Sequence, residues 1–271
     1  MAGGTRRTRP DAVLLVSHGS RDPRAQETTA LLESALARRL AEPLQDHQPE
    51  DPLLVPVRTA FLDFAPPTPE SALRELAGEG RQAVRIVPLL FSPGYHQRHD
   101  LPAAVKASGV TKASSAPCLL GVPGEGRQLL LRALAERLTA AVEGAGRPQP
   151  DGVVLAAAGS SSRAARSSVE YLTRELGRPH GIPAVTAFAS AAPPDTAAAI
   201  DLLRAAGAQH PAVASLFVAP GRLPDAVRRA AGDAPVAEPL GVTPAFVEVL
   251  ALQARHGVRQ DARHDFIRSS R

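Results

Sequence analysis

Two histidines and one aspartate, far apart in the sequence, have the residue types of a divalent-metal site. His18, Asp63 and His96 each follow an apolar stretch of the chain. Imidazole nitrogens and carboxylate oxygens bind first-row metals such as Fe, Co, Ni and Zn. Structural zinc sites instead take their ligands in close pairs along the chain. The wide spacing therefore favours an open site assembled from three loops, which would bind a metal weakly and exchange it.

The stretch around His18 predicts the elements that position it. Residues 13–16 are four apolar residues in a row, which is typical of a short strand buried on both faces of a parallel sheet. Ser20 or Asp22 can then cap a helix, and the apolar residues in 30–40 recur at helical spacing. His18 thus follows a strand end, where ligands bind in open α/β sheets. From position alone, a histidine that only hydrogen-bonds its own loop is an equal alternative.

Strand and helix patterns alternate along the whole chain. Further strand-like stretches lie at 53–61, 83–91 and 114–119, with helical patterns between them, which is typical of a parallel, doubly wound sheet. Residues 144–151 are rich in Gly and Pro and have the composition of a linker. The predicted organisation is a first domain at 11–143, a linker at 144–151, a second domain at 152–257 and a frayed tail at 258–271.

The second domain repeats the first in three blocks that keep their order. Residues 153–163 repeat residues 14–24, residues 186–194 repeat residues 59–67, and residues 216–221 repeat residues 89–94. A duplicated α/β unit explains three matched blocks. The predicted fold class is therefore α/β, with two similar doubly wound parallel-sheet domains that arose by internal duplication.

The positions at which the two copies differ indicate which residues have a function beyond the fold. His18 is matched by Ala158 and Asp63 by Ser190, while a shortened turn replaces the segment that contains His96. Each change removes a candidate metal ligand from the second copy, whereas its glycines, prolines and apolar residues are kept. Losses at three strand ends together have no explanation if these side chains are core filler or accidental surface residues. The comparison therefore predicts that the three residues form one site.

The segments that carry these residues resemble one family. Val-Ser-His-Gly-Ser-Arg at 16–21, Phe-Leu-Asp at 61–63 and residues 88–102, with Tyr-His-Gln-Arg-His at their centre, are together similar to the class II chelatases of the sirohydrochlorin cobaltochelatase and ferrochelatase group. The resemblance runs from residue 12 to residue 257. It implies two flavodoxin-like or periplasmic-binding-protein-like halves that face each other across a cleft, with the active site in the first half.

The resemblance also implies roles for the candidate residues. The two metal-handling histidines of the family correspond to His18 and His96, and its acidic partner corresponds to Asp63, where some relatives have the longer Glu. The implied reaction inserts Fe²⁺ or Co²⁺, with Ni²⁺ as a further candidate, into sirohydrochlorin. Histidine, with a reference pKa of about 6.5, can hold the metal or accept a pyrrole proton, and Asp63 can orient one imidazole or complete the metal shell. The metal is a substrate, and no permanently bound cofactor is expected.

Sirohydrochlorin, the substrate implied by the resemblance, carries eight carboxylates, so some arginines of this sequence are candidate substrate ligands. Five arginines adjoin the candidate segments or their repeats and could bind those carboxylates, although an ordinary surface arginine is the more common case for any single one of them. They are Arg21, Arg24, Arg98, Arg163 and Arg222. His99 is a candidate proton relay or, equally, a surface histidine.

Composition narrows the alternatives. The formal charge is +4, and Lys occurs only at positions 106 and 112, so arginine supplies nearly all the positive charge, as a GC-rich genome would also produce. The dispersed basic residues and the 3% aromatic content argue against a nucleic-acid partner. The single Cys118 excludes an intrachain disulfide and argues against a cysteine metal cluster. Because neither a signal-peptide pattern nor a membrane-length apolar run is found, we expect a cytoplasmic protein without a membrane partner.

Three functional classes remain. The leading one is a chelatase enzyme, and the alternative is a metal or tetrapyrrole carrier that kept the fold without turnover. A two-lobed sensor is disfavoured, because no DNA-binding or output module is attached. The same ligands bind iron and cobalt, so the metal, and with it siroheme or cobalamin biosynthesis, stays open. The oligomeric state stays open as well, and a monomer is compatible with a duplicated chain that builds a cleft within itself.

Overall fold

The structure, a computed structural model, describes residues 7–42, 54–93, 95–256 and 258–259. For residues 7, 8, 95–99, 258 and 259 it describes the backbone only. The chain packs as two compact units. The first contains the residues up to Gly126 together with those from Val247 onward, and the second contains Arg127–Phe246.

Strands and helices alternate through both units. The first elements in chain order are β1 (Arg7–Thr8), β2 (Ala12–Ser17), α1 (Pro23–Ala41), β3 (Val57–Phe61), α2 (Pro69–Gly78), β4 (Ala83–Pro88), α3 (Tyr95–Ser108), β5 (Lys112–Ser115), a 3-10 helix (Leu119–Gly121) and α4 (Glu125–Gly144). They are followed by β6 (Gly152–Ala157), α5 (Arg163–Gly177), a second 3-10 helix (Arg178–His180), β7 (Ala184–Phe188), α6 (Thr196–Ala205), β8 (Pro211–Leu216), α7 (Arg222–Ala230), α8 (Pro244–Arg255) and β9 (Val258–Arg259). None of the described helices combines the length and apolar character that crossing a bilayer requires.

Among the described residues the strands form two parallel sheets and one short antiparallel ladder. The first sheet has the order β3-β2-β4-β5 and the second the order β7-β6-β8. The predicted α/β class with two parallel sheets is confirmed. The ladder pairs β1 with β9. The tail predicted to be frayed therefore begins with two residues in a strand, Val258 and Arg259, which pair with β1.

The topology of the first sheet places His18 at a switch point. From β2 the chain passes to β3 on one side and then to β4 on the other side of β2. The register sets Val16 of β2 opposite Ala60 and Pro88, so the three strands end together. In open α/β sheets, the carboxyl ends of strands at such a reversal form the crevice that binds ligands. The second sheet reverses in the same way around β6.

The central strands are apolar because both of their faces are covered. Residues 12–16 of β2 are fully buried, and Leu14 packs in one cluster with Leu73 and Ile86. In the second unit, Val154 of β6 packs in an equivalent cluster with Ile200. Continuous apolar runs in parallel strands reflect this two-sided burial.

Two helices lie in the unit opposite to the one expected from the linker composition. Most of α4 belongs to the second unit, where Arg137 donates from Nη2 to the carbonyl of Leu240 (3.0 Å). Most of α8 belongs to the first unit, where Gln253 donates from Nε2 to the carbonyl of Pro117 (2.7 Å). The segment predicted as a linker, 144–151, is the loop between α4 and β6. The composition of a loop does not determine which hydrophobic core the preceding helix packs against.

Three strands are shorter than the stretches predicted for them, and they differ from the prediction in which end is lost. The stretch 53–61 becomes β3 from Val57, with residue 53 outside the described part. The stretch 83–91 becomes β4, which ends at Pro88. The stretch 114–119 is wrong at both ends, because β5 begins earlier, at Lys112, and ends at Ser115. Beyond Ser115, Ala116 still donates its N–H to the carbonyl of Ile86 (2.8 Å), so the chain follows the sheet edge without regular strand geometry.

Candidate active site

A tight backbone turn around Gly19 joins the end of β2 to the segment after β3. The N–H of Leu62 donates to the carbonyl of Ser17 (3.0 Å), and the N–H of Asp63 donates to the carbonyl of His18 (2.8 Å), so the pairing continues past the strands. Gly19 has a φ of +92°, and a Cβ there would lie 1.9 Å from the carbonyl oxygen of Asp63. Only glycine fits, because any side chain would push the two segments apart. The turn therefore sets His18 beside Asp63.

His18 and Asp63 face each other across this turn. Nδ1 of His18 lies 3.7 Å from Oδ2 of Asp63, and the two side chains are 58% and 40% exposed. This distance suits an ion pair when the imidazole is protonated. A carboxylate near Nδ1 orients the ring and stabilises an imidazolium, while Nε2 is the atom that such an imidazole offers to a metal or a proton. The structure thus brings together two of the three predicted ligands.

His96, the third predicted ligand, is the second residue of α3, and its side chain lies outside the described part. The N–H of Leu89 donates to the carbonyl of Val16 (2.8 Å), so the chain leaves β4 at the same sheet edge as His18. The three-residue metal site stays a prediction. Among the side chains that the structure does describe, no three carboxylate, imidazole or thiol groups are grouped to hold a metal ion.

Arg24, a predicted carboxylate ligand, pairs with the carboxylate of the residue that caps its own helix. Its Nη2 lies 2.6 Å from Oδ2 of Asp22 and its Nε lies 3.0 Å from Oδ1. Its backbone N–H also donates to Oδ1, so Asp22 caps α1. The hydrogen bond from the Arg24 side chain lowers the pKa of Asp22. A substrate carboxylate would therefore have to displace Asp22 from this guanidinium.

The other predicted arginines lie in different elements of both units. Arg21 follows β2, while Arg163 begins α5 and Arg222 begins α7, and all three are exposed. Arg98 and His99 lie in α3, with side chains outside the described part. The proposed contacts of these residues with a substrate stay predictions.

Phe64 lies beside the candidate site and is absent from the predicted set. Its ring centroid is 6.0 Å from that of His18, with 39° between the ring planes, and Cζ of Arg21 lies over the same ring at 5.3 Å from its centroid. The repeat contains a signal that could have identified it, because Phe64 is matched by Ala191 just as Asp63 is matched by Ser190.

The second unit builds the same turn without the candidate ligands. Gly159 has a φ of +100°, and a Cβ there would lie 1.9 Å from the carbonyl oxygen of Ser190, as at Gly19. The hydroxyl of Ser190 donates to the carbonyl of Ala158, the residue that stands where the first unit has His18 (2.7 Å). The backbone is kept where the imidazole and carboxylate are lost, which separates scaffold from candidate chemistry.

Comparisons with known proteins match both halves of the chain. The family model described as CbiX matches residues 12–141 and 152–256. The sirohydrochlorin ferrochelatase of Bacillus subtilis (strain 168) is 28% identical over 94 residues, which are 35% of this chain and 31% of that protein. The sirohydrochlorin cobaltochelatase of Priestia megaterium is 27% identical over 166 residues, which are 61% of this chain and 50% of that protein. The matched parts thus span about a third to a half of the length of these relatives.

The fold has a counterpart among solved structures. The sirohydrochlorin chelatase SirB from Bacillus subtilis subspecies spizizenii, in complex with cobalt, superposes with a TM-score of 0.67 at 19% identity, over 90% of this chain and 93% of that one. At this identity the likeness concerns the fold alone. The family model goes further, because it matches most of the chain and does so once in each copy of the duplication. The chain belongs to the CbiX family, the sirohydrochlorin chelatases of class II.

Proposed function

We propose that this chain inserts Fe²⁺ or Co²⁺ into sirohydrochlorin, a step of siroheme or cobalamin biosynthesis. The observation that carries the proposal is the pair His18 and Asp63 at the switch point of the first sheet, 3.7 Å apart. On the same backbone in the second unit, Ala158 and Ser190 have neither an imidazole nor a carboxylate. Family membership supports the substrate class, and His96 completes the proposed ligand set.

The proposed chemistry exchanges one M²⁺ for two protons. The two pyrrole N–H protons of the ring must leave as the metal enters, and each needs an acceptor near the ring. An imidazole that gives up the metal regains a lone pair with which it can take up a proton. We assign this double role to His18 and His96. Asp63, which faces Nδ1 of His18, would stabilise the imidazolium as it forms and keep the ring oriented toward the substrate.

The substrate carboxylates need cationic partners around this centre. Arg21 lies within the turn that follows His18, and Arg98 and Arg163 are further candidates in α3 and α5. Guanidinium groups bind carboxylates in a bidentate manner, so they suit such a role. Arg24 is a weaker candidate than the sequence suggests, because Asp22 already occupies its guanidinium.

Turnover distinguishes this proposal from a carrier function. Metal-free protein would be mixed anaerobically with a large excess of sirohydrochlorin and with Fe²⁺, Co²⁺ or Ni²⁺ in parallel, and insertion would be followed by the optical change of the ring. An enzyme gives many turnovers per chain with at least one metal. Uptake that stops at one metal or one tetrapyrrole per chain would contradict the proposal and indicate a carrier.

Asp63 offers a matched pair of variants for the same assay. We expect Asp63→Ala to lower kcat about 10- to 100-fold, since partners that orient a metal-handling histidine contribute on this scale. Ser190→Ala removes the side chain at the equivalent position of the second turn and should leave kcat within about two-fold. Equal effects of the two substitutions would remove Asp63 from the proposed mechanism.

A further inference from the structure

Phe64 is an exposed phenylalanine whose neighbours are the groups of the candidate site. Phe64 is 57% exposed as a whole residue, whereas Phe61, Phe188, Phe217 and Phe246 are at most 9% exposed. An aromatic ring is a large apolar surface that a folded chain normally covers. At the edge where ligands bind, an uncovered ring of this kind is the type of surface that a flat, conjugated molecule covers.

The backbone holds this ring outward in an uncommon conformation. Phe64 has a φ of +67°, a left-handed value that bulky residues seldom adopt. Ala191, its counterpart in the second unit, has a φ of +63°. The left-handed turn therefore belongs to the duplicated scaffold, and the phenyl ring is what the first unit adds to it. Phe64 therefore follows the same rule as His18 and Asp63: the first copy has the candidate functional side chain, and the second copy has a small residue at that position.

The neighbours of the ring indicate how it is used. Its centroid lies 6.0 Å from that of His18, so a macrocycle positioned over the imidazole also reaches the phenyl ring. Cζ of Arg21 lies over the ring, 5.3 Å from its centroid, in the geometry of a cation–π contact. This contact occupies one face of the ring and fixes its orientation, while the exposed remainder stays accessible.

We propose that Phe64 is a substrate-binding residue that stacks on the tetrapyrrole macrocycle, with Arg21 fixing the phenyl ring. This inference rests on the proposed function and names a contact of the same site. Stacking would hold the ring nitrogens over His18 during metal entry, so it acts on substrate binding more than on the insertion step. Offset or tilted packing of a phenyl ring on a conjugated system is the arrangement that aromatic pairs prefer.

The test measures binding of sirohydrochlorin to metal-free protein by the change in the absorbance and fluorescence of the tetrapyrrole. Phe64→Ala should fold normally, because the second unit holds Ala191 at the same φ. We expect this variant to bind roughly ten-fold more weakly, Phe64→Leu to be intermediate, and Phe64→Trp to bind like the wild type. In turnover, KM should rise for Phe64→Ala while kcat stays within about three-fold.

Tyr171 provides the matched control, since it is a partly exposed aromatic residue with Cζ of Arg127 over its ring at 5.3 Å, in the second unit. Tyr171→Ala should bind sirohydrochlorin like the wild type. If the wild type binds and Phe64→Ala binds equally well, the stacking role is wrong while the proposed function stands. If Tyr171→Ala weakens binding as much as Phe64→Ala, the effect is not specific to Phe64 and the proposal fails. If the wild type neither binds nor metallates sirohydrochlorin, both proposals fail.

Discussion

Gly19 allows a quantitative test of how the turn positions the candidate site. In Gly19→Ala, the added methyl group would lie 1.9 Å from the carbonyl oxygen of Asp63, and an ordinary contact begins at 3.4 Å, so the two segments must separate by about 1.5 Å. The left-handed φ costs about 1 kcal/mol for alanine. Forcing the packed segments apart adds about 1–3 kcal/mol. We expect a total destabilisation of about 2–4 kcal/mol.

Two other glycines distinguish the cost of the left-handed φ from the cost of forcing the two segments apart. Gly159 has the same left-handed geometry and the same 1.9 Å approach, here to Ser190, so Gly159→Ala should destabilise the second unit by a similar amount. Gly80 has a φ of +79° with nothing within 4 Å of the added Cβ, so Gly80→Ala should cost only the conformational term of about 1 kcal/mol. Hydrogen exchange of the β2–β3 and β6–β7 amides measures the units separately, which matters because two units need not unfold together.

The metal-insertion assay gives the second readout of this series. In Gly19→Ala the separation moves Asp63 away from His18, and a displacement of about 1 Å can cost a hundred-fold in rate. Gly159→Ala should keep its rate per folded molecule within about two-fold. If Gly19→Ala loses no more of its insertion rate than Gly80→Ala does, the close approach of Gly19 to Asp63 does not position the site. Equal losses of activity in Gly19→Ala and Gly159→Ala would refute the assignment of the site to the first unit.

Two further predictions concern polar contacts inside the individual units, one in the second unit and one in the first. Asp151 accepts the backbone N–H of Gln209 (2.7 Å), which lowers the pKa of this carboxyl below 3.8, so its stabilisation is present above pH 3.8 and is lost as the pH falls through the lower folded-state pKa. The difference in urea midpoint between the wild type and Asp151→Asn should therefore narrow in that acidic range, and a constant difference would contradict the assignment. Arg85 is buried and donates to the carbonyl of Gln253 and to the hydroxyl of Ser114, both at 2.9 Å, so Arg85→Met should destabilise the first unit by about 1–3 kcal/mol. Amides of α8 should then exchange faster, and unchanged exchange would show that the helix does not depend on this contact.

The existence and order of the buried strands could be predicted, because burial on both faces requires a continuous run of apolar residues. Runs such as residues 12–16 are continuous and apolar only where helices cover both faces of a sheet, and the duplication supplied a second copy of each run. From these runs it follows that His18 and Asp63 come after neighbouring strands. Their separation of 3.7 Å depends on the approach of Gly19 to the next segment, which no pattern of residue types expresses.

The features that could not be predicted depend on three-dimensional contacts that leave no pattern in the sequence. The sequence predicts Arg24 as a substrate ligand and either Ser20 or Asp22 as the helix cap. In the structure Asp22 is the cap, and its carboxylate pairs with Arg24. The outward position of Phe64 follows from a left-handed backbone that is set by the turn and not by the phenylalanine itself. The exchange of α4 and α8 between the units reflects which core accepts each helix, and this is a property of the assembled sheets.

The central claim is that metal insertion takes place at His18. The most direct measurement is the initial rate of Co²⁺ and Fe²⁺ insertion into sirohydrochlorin, under anaerobic conditions, for the wild type, His18→Ala and His180→Ala. His180 is an exposed histidine of the second unit and serves as the matched control. We expect many turnovers in the wild type and in His180→Ala, and no insertion above the uncatalysed rate in His18→Ala with an unchanged circular dichroism spectrum. Near-normal turnover by a folded His18→Ala protein would contradict the account.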